Sequence, residues 1–271
     1  MTQTKDLLTR FKNDVIEIEP TPRWLRVVFG GTIIADSKHV VILFEKGHTP
    51  AYYIPESDIR KDLMSPSDHS THCPRKGDAA YYSITVGDRV TENALWYYPK
   101  PFASSADLAD DDAPDLRGYV AFYWNKMDSW YEENEEVFVH ARDPYKRVDV
   151  LSSTRHVQVV IGGETVAETH SPLLLFETGL PTRYYIPKLD VRQELLLPSD
   201  RSTSCPYKGN ANYFSVATTD RVHEDIAWYY RHPALESAKV AGHIAFFNER
   251  VDAIIVDGEQ QEKPKNKWSS K

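Results

Sequence analysis

The chain has 271 residues, enough for two domains of ordinary size, and its 41% hydrophobic and 12% aromatic content is that of a folded chain rather than a disordered one. Forty acidic against 32 basic side chains give a net charge of −8, which repels a phosphate backbone and argues against nucleic acid as a partner. No apolar run reaches membrane-spanning length, Met1 to Asn13 carries Lys5, Asp6, Arg10 and Lys12 where a signal peptide needs apolar residues, and Cys73 and Cys205 are the only cysteines, so a cytoplasmic protein without a membrane partner is expected.

In chain order, the first signal is a hairpin. Val27 to Phe29 and Thr32 to Ile34 flank Gly30-Gly31, and a glycine pair between β-branched runs supplies the two positive φ angles of a tight turn. Val40 to Phe44 is a short apolar run of buried-strand type, closed by the charged Glu45. From Asp58 to Met64 the spacing of Ile59 and Leu63 predicts one short helix. Asp68 precedes a Ser/Thr-rich turn, His72-Cys73-Pro74 leads to Lys76-Gly77, and Tyr81 to Val86 with Gly87-Asp88 predicts a second hairpin.

The second half then repeats the first. At a fixed shift of 132 residues, Val28 to Tyr98 matches Val160 to Tyr230 without a gap and with about half the positions identical. The matched blocks include Leu43-Phe44-Glu45 with Leu175-Phe176-Glu177, Tyr52 to Pro55 with Tyr184 to Pro187, Pro66-Ser67-Asp68 with Pro198-Ser199-Asp200, and Trp96-Tyr97-Tyr98 with Trp228-Tyr229-Tyr230. An acidic stretch around Asp107 to Pro114 interrupts only the first copy, after which Gly118 to Asp128 matches Gly242 to Asp252. The expected division is a first repeat at 15–128, a connection at 129–146, a second repeat at 147–258 and a polar tail at 259–271. Each repeat is expected to be a compact, mainly antiparallel β domain with few short helices.

The order of these blocks resembles the DUF427 family, whose members often carry tandem copies. That resemblance covers nearly the whole chain and implies small β-sheet domains of a tent-like kind, some of which hold zinc through paired CxxC motifs. This sequence has no CxxC, its ten histidines show no HxH or HExxH spacing, no phosphate-cradling glycine loop is present, and Asp-x-Asp spacing occurs only within the acidic stretch, at Asp110-Asp111-Asp112. Neither a metal nor an organic cofactor is expected.

Candidate chemistry comes from residues that recur in both copies. Glu45 and Glu177 close apolar strands, where a desolvated carboxylate can act as general acid or base; the alternative is a strand-end ion pair with Arg23 or Arg60, or with Arg155 or Arg192 in the second copy. Lys76 and Lys208, with Arg60 and Arg192, would stabilise a developing oxyanion. Tyr53 and Trp96, with Tyr185 and Trp228, would line a ligand pocket or equally a core, and Arg183 stands where the first copy has Ala51, so the copies are unequal. His72 and Lys76 could activate Cys73 as a nucleophile, although strand neighbours face opposite ways and Cys73 reads as well as a small buried hydrophobe; Ser204 replaces His72 in the second copy. These residues point to an acid–base enzyme acting on a small carbonyl or aromatic metabolite. The alternative is a tandem module that binds a ligand or a protein without catalysis.

Overall fold

The computed structural model describes residues 16–100 and 115–265; the acidic stretch at Asp107 to Pro114 and the end of the polar tail lie outside them. The chain divides between Arg142 and Asp143 into two compact domains. Among the described residues no helix is long and apolar enough to cross a membrane.

The described part of the first domain contains β1 (Glu17–Pro20), β2 (Leu25–Phe29), β3 (Thr32–Ser37), β4 (Val41–Phe44), β5 (Ala51–Pro55), β6 (Met64–Cys73), β7 (Gly77–Val86), β8 (Arg89–Tyr97), β9 (Tyr119–Phe122), β10 (Ser129–Glu132) and β11 (Glu135–Glu136). They form a seven-stranded antiparallel sheet in the order β1-β4-β5-β9-β8-β7-β6 and a four-stranded sheet in the order β11-β10-β2-β3. The second domain repeats the plan with β12 (Val148–Ser152), β13 (Val157–Ile161), β14 (Glu164–Thr169), β15 (Leu173–Glu177), β16 (Arg183–Pro187), β17 (Leu196–Cys205), β18 (Gly209–Ala217), β19 (Val222–Pro233), β20 (His243–Phe246), β21 (Ala253–Val256) and β22 (Glu259–Gln260). Its sheets run β12-β15-β16-β20-β19-β18-β17 and β14-β13-β21-β22. The architecture is mainly β, as expected.

Strand alternation gives each large sheet two buried faces. In the first domain Ile42, Tyr52, Ile54, Ile84 and Leu95 meet Val27, Phe29, Ile34 and Trp130 of the small sheet. On the opposite face Leu43, Tyr53, Tyr81, Tyr98 and Ala121 form a separate cluster, with Cys73 and Trp96 packed against it. The β2–β3 turn uses Gly30 and Gly31 at φ +59° and +71°, and a Cβ on Gly30 would come within 2.9 Å of Val86. The second domain's Gly162 is tighter still, its place for a Cβ lying 2.4 Å from Asp220 Oδ1.

Three expectations are corrected here. The helix at Asp58 to Met64 is absent: two 3-10 turns, Glu56–Asp58 and Lys61–Leu63, flank an extended Ile59 that bridges to Ala35, and the Arg60 N–H goes to the Ile34 carbonyl. Pairing with β3 takes the backbone groups a helix would need. The segment 129–146 is not a connection throughout, because β10 pairs with β2 from Ser129↔Val28 to Glu132↔Leu25. Its counterpart β21 pairs with β13 in the same register, Ala253↔Val160 to Val256↔Val157. The tail likewise begins as structure, with Glu259 and Gln260 folding back on β21 through Asp257 and Gly258, both at positive φ.

Candidate functional site

The first domain has a cleft of about 400 Å³ where β5 begins and β9 ends. It takes residues from the clusters on both sides of the large sheet: Leu43, Tyr53, Tyr81, Trp96 and Tyr98 on one side, and Tyr52 and Phe122 with Trp124 of the turn after β9 and Trp130 of the small sheet on the other. Its aromatic wall is ordered by ring contacts. Trp124 stacks on Trp130 with ring centres 4.3 Å apart and planes within 7°, and Trp96 lies 4.7 Å from Tyr123 and edge-on to Tyr53.

The polar groups of the cleft are largely tied to one another. Glu45, at the end of β4, takes the Lys76 ammonium at 2.5 Å, and the Arg75 guanidinium stands 3.5 Å from its other oxygen. The Glu45 and Lys76 side chains are only 10% and 12% exposed, because the β6–β7 turn folds Lys76 back over the strand end. Tyr53 accepts the Trp96 indole N–H at 3.2 Å, and the Thr71, Tyr81 and Tyr123 hydroxyls form a chain. Tyr52 donates to Glu132, a buried carboxylate that also holds Arg23. Burial raises the Tyr52, Tyr53 and Tyr98 phenols well above their ordinary range. Burial, reinforced by Tyr81, pushes Tyr123 up to about 12.

The corresponding region of the second domain has a different interior. Glu177 pairs with Lys208, and the Trp228 indole donates to Tyr185 at 3.1 Å, both repeating the first domain. Arg183, in the register position of Ala51, places its guanidinium over the Trp228 ring, 5.6 Å from the ring centre. That guanidinium makes two 2.7 Å bonds to Glu249, whose side chain is 0% exposed. At the shift of 124 residues that relates the ends of the domains, Glu249 stands where the first domain has Asn125. In the same alignment Phe247, Asn248 and Ile254 replace Tyr123, Trp124 and Trp130.

A family model described as a domain of unknown function, DUF427, matches residues 17–133 and again 149–257. The chain belongs to the DUF427 family. No curated protein matches it. The two DUF427 domains therefore share a frame and differ in what fills it.

Against that frame the expected site residues separate. Glu45, Lys76, Tyr53 and Trp96 come together on the wall of one cleft, and Glu177, Lys208, Tyr185 and Trp228 repeat their pairings in the second DUF427 domain. The ion-pair partner of Glu45 is Lys76 with Arg75, rather than Arg23 or Arg60. Arg60 and Arg192 do not join either group: Arg60 pairs with its near neighbour Asp62 at exposed positions, and the exposed Arg192 pairs with Glu194 and Glu164. Arg183 directs its guanidinium fork to Glu249. His72 and Cys73 do not form a dyad. His72 pairs with its cross-strand neighbour Asp78 in solvent, while Cys73 packs on the tyrosine cluster of the other strand face.

Sequence reasoning missed Tyr123, Trp124, Trp130 and the Tyr52–Glu132–Arg23 chain. Tyr123 and Trp124 were visible as departures from Phe247 and Asn248 within an otherwise matching block. Trp130 and Glu132 gave no such signal, because Ser129 to Glu132 shares no residue with Ala253 to Val256 and reveals its equivalence only through pairing.

Proposed function

We propose that the first domain binds a small planar molecule in its aromatic cleft, and that the second domain is the same frame with that volume taken up by its own side chains. The observation that carries this reading is the exchange of Ala51 and Asn125 for the buried Arg183–Glu249 pair at matched positions. A concave, mostly aromatic site with a few placed polar groups is the usual form of a small-molecule pocket. Replacing Ala51 with Arg and Asn125 with Glu supplies both partners of the second domain's ion pair to the first.

The Ala51→Arg/Asn125→Glu variant is therefore the test. Wild-type protein is screened against small planar compounds by ligand-observed NMR, and hits are repeated on the variant. Loss of binding with an unchanged circular dichroism spectrum supports the proposal. Equal binding by both proteins, or no binder for the wild type, overturns it.

A catalytic reading is favoured by the place of Glu45 and Lys76 on the cleft wall. Glu45 would take a proton from the bound molecule and become neutral, leaving the Lys76 ammonium to pair with the anion formed. Against it, the same pair holds the strand end in the second domain, where Arg183 and Glu249 occupy the matched positions, so ion pairing at this place serves the frame with or without a ligand. Turnover of a confirmed ligand by wild type, lost in Glu45→Gln while binding persists, would establish catalysis.

A further inference from the structure

We infer that the ligand of the first domain is an uncharged, planar, conjugated carbonyl compound, of the aromatic amide or lactam class, whose oxygen accepts a hydrogen bond from Trp130. This rests on the cleft reading above and adds the chemistry of the ligand to it.

Three observations carry it. First, the second domain shows what shape its frame accepts: a flat, delocalised guanidinium lies over Trp228, the counterpart of Trp96. Second, Glu249 neutralises that guanidinium where it is buried, whereas the matched position in the first domain holds Asn125, which is neutral and exposed. The carboxylate on the cleft wall, Glu45, is already held by Lys76 and Arg75. A cation entering the first domain would therefore lose water and gain no free counter-charge, whereas a neutral planar group keeps the stacking contact at no such cost.

Third, the indole Nε1 of Trp130 is buried without a hydrogen-bond partner. The other unpaired buried side-chain atoms among the described residues are Arg26 Nε and Asn248 Oδ1, and neither belongs to a residue lining this cleft. An indole nitrogen can only donate, so the group that satisfies it must be an acceptor. Native interiors rarely leave such a donor unpaired, and those that do call for a missing partner. In this state the N–H is shielded from bulk water. An acceptor bound in the cleft would reach it once Trp124, the half-buried ring stacked on Trp130 from a single 3-10 turn, moves aside.

Benzamide and benzamidine test the inference, because they differ chiefly in a carbonyl oxygen against a charged amidinium nitrogen. Protein labelled with ¹⁵N at its six tryptophan indoles is titrated with each, and the Trp130 signal is assigned by its loss in Trp130→Phe. Benzamide is expected to bind more tightly than benzamidine and to move the Trp130 N–H downfield. Trp130→Phe is expected to weaken benzamide by roughly three- to tenfold, the worth of one hydrogen bond, while toluene, which has no acceptor, binds both proteins alike. Tighter binding of benzamidine, or benzamide signals at Trp96 and Trp124 without one at Trp130, overturns this inference and leaves the cleft standing. If none of the three probes moves any cleft tryptophan, the cleft reading falls and this inference with it.

Discussion

Removing one half of the buried ion pair in the second domain should produce a defect that depends on pH in a calculable way. In Arg183→Ala the Glu249 carboxylate, 0% exposed, loses the two 2.7 Å bonds that hold it. An unpaired buried charge costs about 3–5 kcal/mol, but the carboxylate can escape by taking a proton. From an ordinary glutamate pKa near 4.3, protonation at pH 7 costs about 3.7 kcal/mol, and at pH 5 about 1 kcal/mol. The carboxyl in the variant has a folded pKa raised above its unfolded value, so stability is retained below about pH 4.3 and lost as pH rises. The charge-dependent part of the defect should thus shrink by about 2.7 kcal/mol between pH 7 and pH 5. Arg183→Ala/Glu249→Asn, which installs the first domain's residues, removes the charge and should show only a packing loss of about 1–2 kcal/mol at both pH values. Urea unfolding followed by pulsed hydrogen exchange, read on peptides from β16 and β20, reports this domain separately from the other. A single-variant defect under about 1 kcal/mol at pH 7, or one of equal size at pH 5, would show that Glu249 is not sealed from water and refute the argument.

Lys208→Met should destabilise its domain more than Lys76→Met does, because Arg75 remains beside Glu45 while the matching sequence position in the second domain is Tyr207, which carries no cation for Glu177; a difference of about 1 kcal/mol in urea unfolding is expected, and equal losses would dismiss the role of Arg75. The buried phenols Tyr52, Tyr53, Tyr98, Tyr185 and Tyr230 have folded pKa values raised by burial, so their contribution is complete below about pH 10 and declines above it, by about 1.4 kcal/mol per pH unit for each phenol that ionises only on unfolding. Urea midpoints that stay level from pH 9.5 to 11.5 would contradict that. Cys73→Ala and His72→Ala should each leave binding of a cleft ligand within about twofold of wild type, as measured by calorimetry, since neither residue lines the cleft. A tenfold loss in either would restore the thiol–imidazole pair as part of the site.

The duplication, the strand-rich frame and the glycine hairpins were legible in the residues, because each depends on local spacing: a period of two along strands, paired glycines where φ must be positive, and one fixed shift of 132 that aligns the copies. The same spacing marked Glu45, Lys76, Tyr53 and Trp96 as a recurring set, and also flagged Arg183 as the odd residue between copies. It could not show that Glu45 meets Lys76 or that Arg183 finds Glu249, since those partners lie 31 and 66 residues apart and meet only when strands pair. Proximity misled at His72–Cys73 and at Arg60, where the pleat and a local carboxylate direct neighbours away from the cleft. What tertiary structure alone decided is the contrast between the two interiors. An alanine and an arginine at one strand position read as a single substitution, and only packing against the residues that follow β9 in one domain and β20 in the other turns the one into part of a cleft wall and the other into a buried ion pair.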